Sequence, residues 1–84
     1  MKPEFKLIKD YGSIGTKPVR GDRCEILLRR VSWDGKPCWD IRAVTEDGRA
    51  TYKGITMSTP QLIRLRDLLE EIDLLGISDK ENEK

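Results

Sequence analysis

The chain has 84 residues, the length of one small domain, and its composition (37% charged, 37% hydrophobic, net charge +1) is too balanced to predict disorder. Two cysteines and no histidine cannot supply the usual four-ligand zinc site and remove the commonest general base, so we expect no metal, no cofactor and no enzyme activity. No apolar run is long enough for a membrane span or a secretory signal, so we expect a cytoplasmic protein without a membrane partner.

The N-terminal quarter predicts one clear strand followed by an irregular segment. Phe5–Lys9 is predicted to be the first strand. The stretch Tyr11–Asp22 contains Gly12, Gly15, Pro18 and Gly21, a composition typical of a loop or of a strand that is broken by bulges. Both alternatives stay open.

Three further strands are predicted in the middle of the chain. They are Cys24–Trp33, Lys36–Thr45 and Thr51–Met57. The dipeptide Asp34-Gly35 favours a two-residue type I′ hairpin between the first two, and residues 46–49 form the second turn. In the strand that follows the hairpin, Trp39 alternates with Ile41 and Ala43, which favours packing of Trp39 in the core.

An amphipathic helix follows the strands. Thr59 is the predicted N-cap, Pro60 the first helical residue and Gly76 the residue just beyond the last turn. One apolar stripe at helical spacing contains Leu62, Leu65, Leu68, Leu69, Ile72 and Leu75. Ile63 and Leu74 lie on a second side, which indicates either a partner surface or packing at a frayed helix end.

Four strands followed by one helix predict an α+β fold with an antiparallel sheet. We expect a single domain over residues 1–76 and a charged, disordered tail over residues 77–84. Because one helix covers only one face of a sheet, the other face is expected to stay open.

Basic and aromatic residues on the strands point to a nucleic-acid surface. The candidates are Arg29, Trp33, Lys36, Arg42, Tyr52 and Lys53. When proteins bind single strands, cations follow the phosphates and aromatic rings stack on unpaired bases. The net charge of +3 over residues 17–56 and −3 over residues 57–84 agrees with this interpretation, but an ordinary solvated surface has similar counts. Trp33, beside a tight turn, either stacks on bases or folds over the hairpin onto the core.

Three short motifs carry a family resemblance. They are Arg30–Lys36 (RVSWDGK), Trp39–Arg42 (WDIR) and Tyr52–Ser58 (YKGITMS), followed by a helix that Pro60 opens. In this order and spacing, the sequence resembles the C-terminal domain of the transcriptional coactivator positive cofactor four. It is more similar still to that family's small bacterial relatives of the YdbC type, over about residues 24–75.

The resemblance implies a curved four-stranded antiparallel sheet, a homodimer formed largely through the helices, and a groove for single-stranded DNA. Within the family's pattern, Arg42 matches a strand arginine that meets the DNA backbone, Lys53 a lysine before Gly-Ile, and Trp33 a stacking aromatic. Lys36 and Arg29 match further basic positions. The expected dimer interface consists of Ile63, Leu65, Leu69, Ile72 and Leu74.

The chain departs from the family's pattern just after the Asp-Ile-Arg triplet. Residues 43–46 contain no ring where animal members carry an exposed aromatic, and Tyr52 on the next strand is the candidate substitute. We expect a sequence-tolerant single-stranded DNA-binding homodimer, associated with the nucleoid, that modulates transcription or DNA repair and meets the transcription machinery. Two alternatives stay open: an RNA-binding module of the same fold, and a protein-interaction domain that binds a transcription factor.

Overall fold

Four antiparallel strands pair in chain order to form a curved, open sheet, and one helix follows the last strand. The computed structural model describes residues 4–76, so the predicted tail over 77–84 lies outside the described residues. The elements are β1 (Phe5–Val19), β2 (Asp22–Trp33), β3 (Lys36–Thr45), β4 (Ala50–Met57), α1 (Thr59–Glu70) and a 3₁₀ turn (Leu74–Gly76). The predicted α+β class and four-stranded antiparallel sheet are confirmed. No helix within residues 4–76 is long and apolar enough to cross a membrane.

β1 is one long strand with bulges, which decides between the two alternatives for residues 11–22. Its register with β2 shifts at three places between Leu7 and Thr16. Gly12 and Gly15 have φ angles of 131° and 142°, which side chains with a Cβ rarely adopt. Glycine at these positions therefore lets the strand bulge and then resume its pairing with β2.

The predicted hairpin between β2 and β3 is confirmed. Asp34 and Gly35 have φ angles of 51° and 79°, both positive as a type I′ turn requires. The ladder runs without a register shift from Trp33 opposite Lys36 to Cys24 opposite Thr45. The turn therefore fixes which side chains of the two strands are neighbours.

α1 begins with a capping box centred on Ser58, one residue before the predicted cap. The Ser58 hydroxyl accepts a hydrogen bond from the Gln61 backbone N–H (3.3 Å), and the Gln61 side-chain oxygen accepts one from the Ser58 N–H (2.9 Å). Thr59 lies inside the helix instead, where its hydroxyl accepts a hydrogen bond from Trp39 Nε1 (2.9 Å). The predicted cap at Thr59 is wrong, but Thr59 ties the helix to β3.

α1 ends at Glu70, well before Gly76, so the predicted C-terminus of the helix is also wrong. Beyond Glu70, the N–H groups of Glu71 and Ile72 donate to the carbonyls three residues back, those of Leu68 (3.1 Å) and Leu69 (3.2 Å), which tightens and ends the last turn. As a result, Ile72 and Leu74 lie beyond α1, and Leu74 begins the 3₁₀ turn.

The two faces of the sheet carry different side chains. Side chains alternate between the faces along each strand, and residues directly opposite each other in a ladder share a face. On the helix face, Trp39 and Ile41 lie beneath α1. The open face carries the alternate residues of the same strands. Arg29 on β2 and Asp40 on β3 are among them and lie opposite each other. The buried apolar residues are Val19, Cys24, Val31, Ala43, Val44 and Met57, and α1 contributes no buried side chain to this small core.

Candidate nucleic-acid interface

The floor of the open face is a buried ion-pair network centred on Asp40. Arg29 Nη2 donates a hydrogen bond to Asp40 Oδ2 (2.7 Å), and Arg42 Nη2 lies 3.0 Å from Oδ1. Thr56 Oγ1 donates to Oδ1 as well (3.2 Å). Burial alone would raise the pKa of Asp40, but hydrogen bonds and positive charge from Arg42 and Arg29 outweigh it and hold the pKa below its usual value.

Arg42 is held in one position by contacts on β3 and β4. Its Nε donates to Asp40 Oδ1 (3.1 Å) and its Nη1 donates to the Thr51 carbonyl (2.9 Å). A Cβ on Gly54 would lie 2.8 Å from Arg42 Cζ, so the glycine leaves the room that the guanidinium occupies. The side chain of Arg42 remains 20% exposed. Arg42 and Arg29 together carry two positive charges against the one negative charge of Asp40. The floor therefore presents a fixed excess of positive charge.

Trp33 lines the same depression as the ion-pair network of Arg29, Asp40 and Arg42. Its ring packs against Phe5 with a centroid distance of 4.9 Å and remains 42% exposed. Lys36 lies directly opposite Trp33 in the ladder and is exposed at the same end of the sheet. The structure thus leaves Trp33 on the open face, packed on Phe5 rather than beneath α1.

Two depressions adjoin at Ala50 and Thr51, where β4 begins, and together they run from the open face to the turn between β1 and β2. The first, of about 360 Å³, is lined by Phe5, Arg29, Trp33, Asp40, Arg42, Ala50 and Thr51. The second, of about 320 Å³, shares Ala50 and Thr51 with the first and continues to Arg20, Arg49 and Tyr52. We call these two depressions together the open-face groove.

Tyr52 lines the far end of the open-face groove from Trp33, and Lys53 is its neighbour on β4. Tyr52 is 61% exposed, and two cations lie over its ring: Lys53 Nζ at 5.1 Å and Arg20 Cζ at 5.0 Å from the ring centroid. The register of β3 with β4 shifts between Arg42 and Val44, opposite this part of β4. Aromatic and basic groups therefore occur at both ends of the groove.

The structure places Arg29 differently from the sequence-based expectation. Arg29 is only 6% exposed, its guanidinium carbon lies 5.5 Å from the Phe5 ring centroid, and Asp40 neutralises its charge. Its role in the described geometry is to support the floor, so it does not present an open cation to a phosphate. Trp39, which the sequence favours as a core residue, is half-buried and lies on the helix face outside the buried core, with its ring centroid 5.5 Å from that of Tyr11.

Asp40, Phe5 and Arg20 are the site residues that the sequence reasoning missed. Asp40 had a usable signal, because a two-residue turn at Asp34-Gly35 places it opposite Arg29. Phe5 had none, since the bulges in β1 break any simple count of its register with β2. Nothing in the sequence links Arg20 to Tyr52.

A second surface, on the helix face, is an apolar cleft between α1 and the sheet with a volume of about 820 Å³. Its apolar lining consists of Ile14, Leu28, Trp39, Ile41, Leu62, Ile63, Leu65 and Leu69. Three of the predicted interface residues, Ile63, Leu65 and Leu69, lie in this apolar cleft. The other two, Ile72 and Leu74, lie beyond the helix and are 44% and 59% exposed.

Comparison with known proteins adds one relative. An uncharacterized protein of Treponema pallidum (strain Nichols) is 31% identical over 71 residues, which cover 83% of this chain and 80% of the relative. No family model and no solved structure matches the chain.

Proposed function

Since the chain belongs to the same family as the Treponema pallidum protein, whose name gives no activity, we propose a function from the fold and the site. The proposed function is sequence-tolerant binding of single-stranded DNA along the open-face groove. The observation that carries it is the exposed Trp33 ring beside the fixed Arg42 guanidinium in one groove.

The chemistry of the open-face groove suits an unpaired strand. A strand with splayed bases offers faces that can stack on Trp33, whereas the bases of a duplex are already stacked. Lys36, Arg42 and Lys53 are the residues that we assign to the phosphates. Rings and cations of this kind carry little base identity, so weak sequence preference is expected.

We also propose that the protein functions as a homodimer joined through the apolar cleft. α1 contributes no buried side chain, and Ile63 and Leu69 are each 44% exposed. A domain with so small a core gains stability when a second copy covers such a surface. The sequence resemblance to the positive cofactor four family agrees with this assembly and with a role at the nucleoid in transcription or repair.

The stacking role of Trp33 is tested through its fluorescence. In a Trp39→Phe variant the emission comes from Trp33 alone, and oligo-dT should quench it. Trp33→Ala should weaken binding about tenfold, because one stacked base contributes about 1–3 kcal/mol. The reference for the double variant Trp33→Ala/Trp39→Phe is Trp39→Phe itself, because Trp39 lines the apolar cleft and donates a hydrogen bond to Thr59, so its replacement must be present in both proteins.

Unchanged affinity of the Trp33→Ala variant would contradict the stacking role. Competition between oligo-dT and oligo-U of equal length separates the DNA proposal from the RNA alternative. If a folded protein binds neither oligomer, the open face is a protein-interaction surface instead.

A further inference from the structure

Two cations from separate parts of the chain lie over one aromatic ring at the end of the open-face groove. Arg20 belongs to the turn between β1 and β2, whereas Tyr52 and Lys53 belong to β4. The Arg20 guanidinium carbon lies 5.0 Å and the Lys53 ammonium nitrogen 5.1 Å from the Tyr52 ring centroid. The ring attracts each cation, but because it is neutral it cancels neither charge.

Neither cation of this cluster forms an ion pair with another residue among residues 4–76. The same depression also contains Asp22 and Arg49, and Arg49 is paired with Asp47 at 3.4 Å. Each of the two cations lies about 5 Å from the same ring centroid, so positive charge is concentrated around Tyr52 and favours binding of an anion there.

The backbone at Arg20 supports a functional reason for the arginine. Arg20 and Gly21 form a two-residue turn with φ angles of 51° and 84°. Asn, Asp or Gly are the residues that favour the first position of such a turn, and a long side chain there is uncommon. A residue that is unfavourable for its own turn and yet reaches into a groove indicates that its side chain is used.

We propose that Arg20, Tyr52 and Lys53 form a phosphate subsite, in which the Tyr52 ring holds two cations against a backbone phosphate. The subsite lies where the groove continues past Thr51. It would therefore bind the part of the DNA strand that extends beyond the Trp33 end of the groove. This inference rests on the proposed function and adds Arg20 to the binding residues. It also gives Tyr52 the role of a positioning residue instead of a base-stacking one.

The test uses two probes: oligo-dT, and an abasic oligomer of equal length that has the phosphates but no bases. Arg20→Asn removes the charge while placing a favoured residue in the turn, so the variant should fold at least as well as the wild type. Arg64→Gln, which loses the same charge from α1 away from the groove, is the matched control. Arg20→Asn should weaken binding of both probes on the order of fivefold near 0.1 M salt and reduce the salt slope by about 0.7.

Variants at two further positions separate this subsite from the stacking site. Trp33→Ala should weaken binding of oligo-dT and leave binding of the abasic oligomer unchanged. Tyr52→Phe should retain the affinity for both probes, whereas Tyr52→Leu should lower both, because the ring is what holds the cations.

Three results would overturn the inference. Arg20→Asn could behave like Arg64→Gln in both affinity and salt slope. Tyr52→Leu could weaken binding of oligo-dT alone, which would make Tyr52 a stacking residue. The wild-type protein could bind neither probe, and that result alone would also overturn the proposed function.

Discussion

At the scale of single residues, Asp40 organises the open face. It lies between Arg29 and Arg42, and it is 2% exposed. Desolvation of a carboxylate is costly, and two guanidinium groups and one hydroxyl offset that cost here. The position of Arg42 over the groove therefore depends on a residue that need not touch the ligand.

Replacing Asp40 should destabilise the fold strongly. Asp40→Asn leaves the guanidinium of Arg29 buried without a counter-charge, and we expect the free energy of unfolding to fall by about 3–5 kcal/mol in urea. Asp67→Asn is the control, because Asp67 pairs with the exposed Arg66, and its loss should change stability by less than about 0.5 kcal/mol. Equal losses in the two variants would contradict the assigned role of Asp40.

The pH dependence of stability gives a second readout of the same variant. Folding lowers the pKa of Asp40, so its contribution is fully present above its unfolded pKa, near 4, and is lost as the pH falls through the lower folded pKa. Wild-type stability should therefore fall below about pH 4 more steeply than that of Asp40→Asn. Parallel curves from urea titrations between about pH 2 and 6 would contradict this account.

At the scale of elements, the parts that follow from local chemistry could be predicted from the sequence. The hairpin at Asp34-Gly35 and the strands on both sides of it follow from turn residues and alternation. β1 resisted prediction because Gly12 and Gly15 are typical of loops as well as of bulges. The end of α1 resisted prediction because the hydrogen bonds to carbonyls three residues back begin at Glu71, and no sequence signal marks that residue.

The apolar cleft leads to a prediction about assembly. Ile63→Asp places a charge inside the cleft and should convert a dimer to a monomer at micromolar concentration in sedimentation. Arg64→Asp, on the adjacent residue that does not line the cleft, should leave the dimer intact. A folded Ile63→Asp variant that still sediments as a dimer would contradict the helix-mediated interface.

At the scale of the whole molecule, one sheet separates two surfaces of different chemistry. The helix face is apolar and suits a second copy of the chain, while the open face combines rings with cations. The residue types on the open face could be predicted from the sequence. The ion pair between Arg29 and Asp40 and the cation–π contact between Arg20 and Tyr52 could not. Both of these depend on pairings across the fold that composition does not contain.

Comparison of single- and double-stranded ligands tests the central claim most directly. Fluorescence anisotropy would follow a labelled oligo-dT of about 20 nucleotides, beside a duplex of equal length, in low and moderate salt. We predict tighter binding of the single strand. Its affinity should fall as salt rises, with a slope of log K against log salt of about −0.7 for each phosphate contact. Equal binding of the duplex, or an affinity that does not respond to salt, would contradict the central claim.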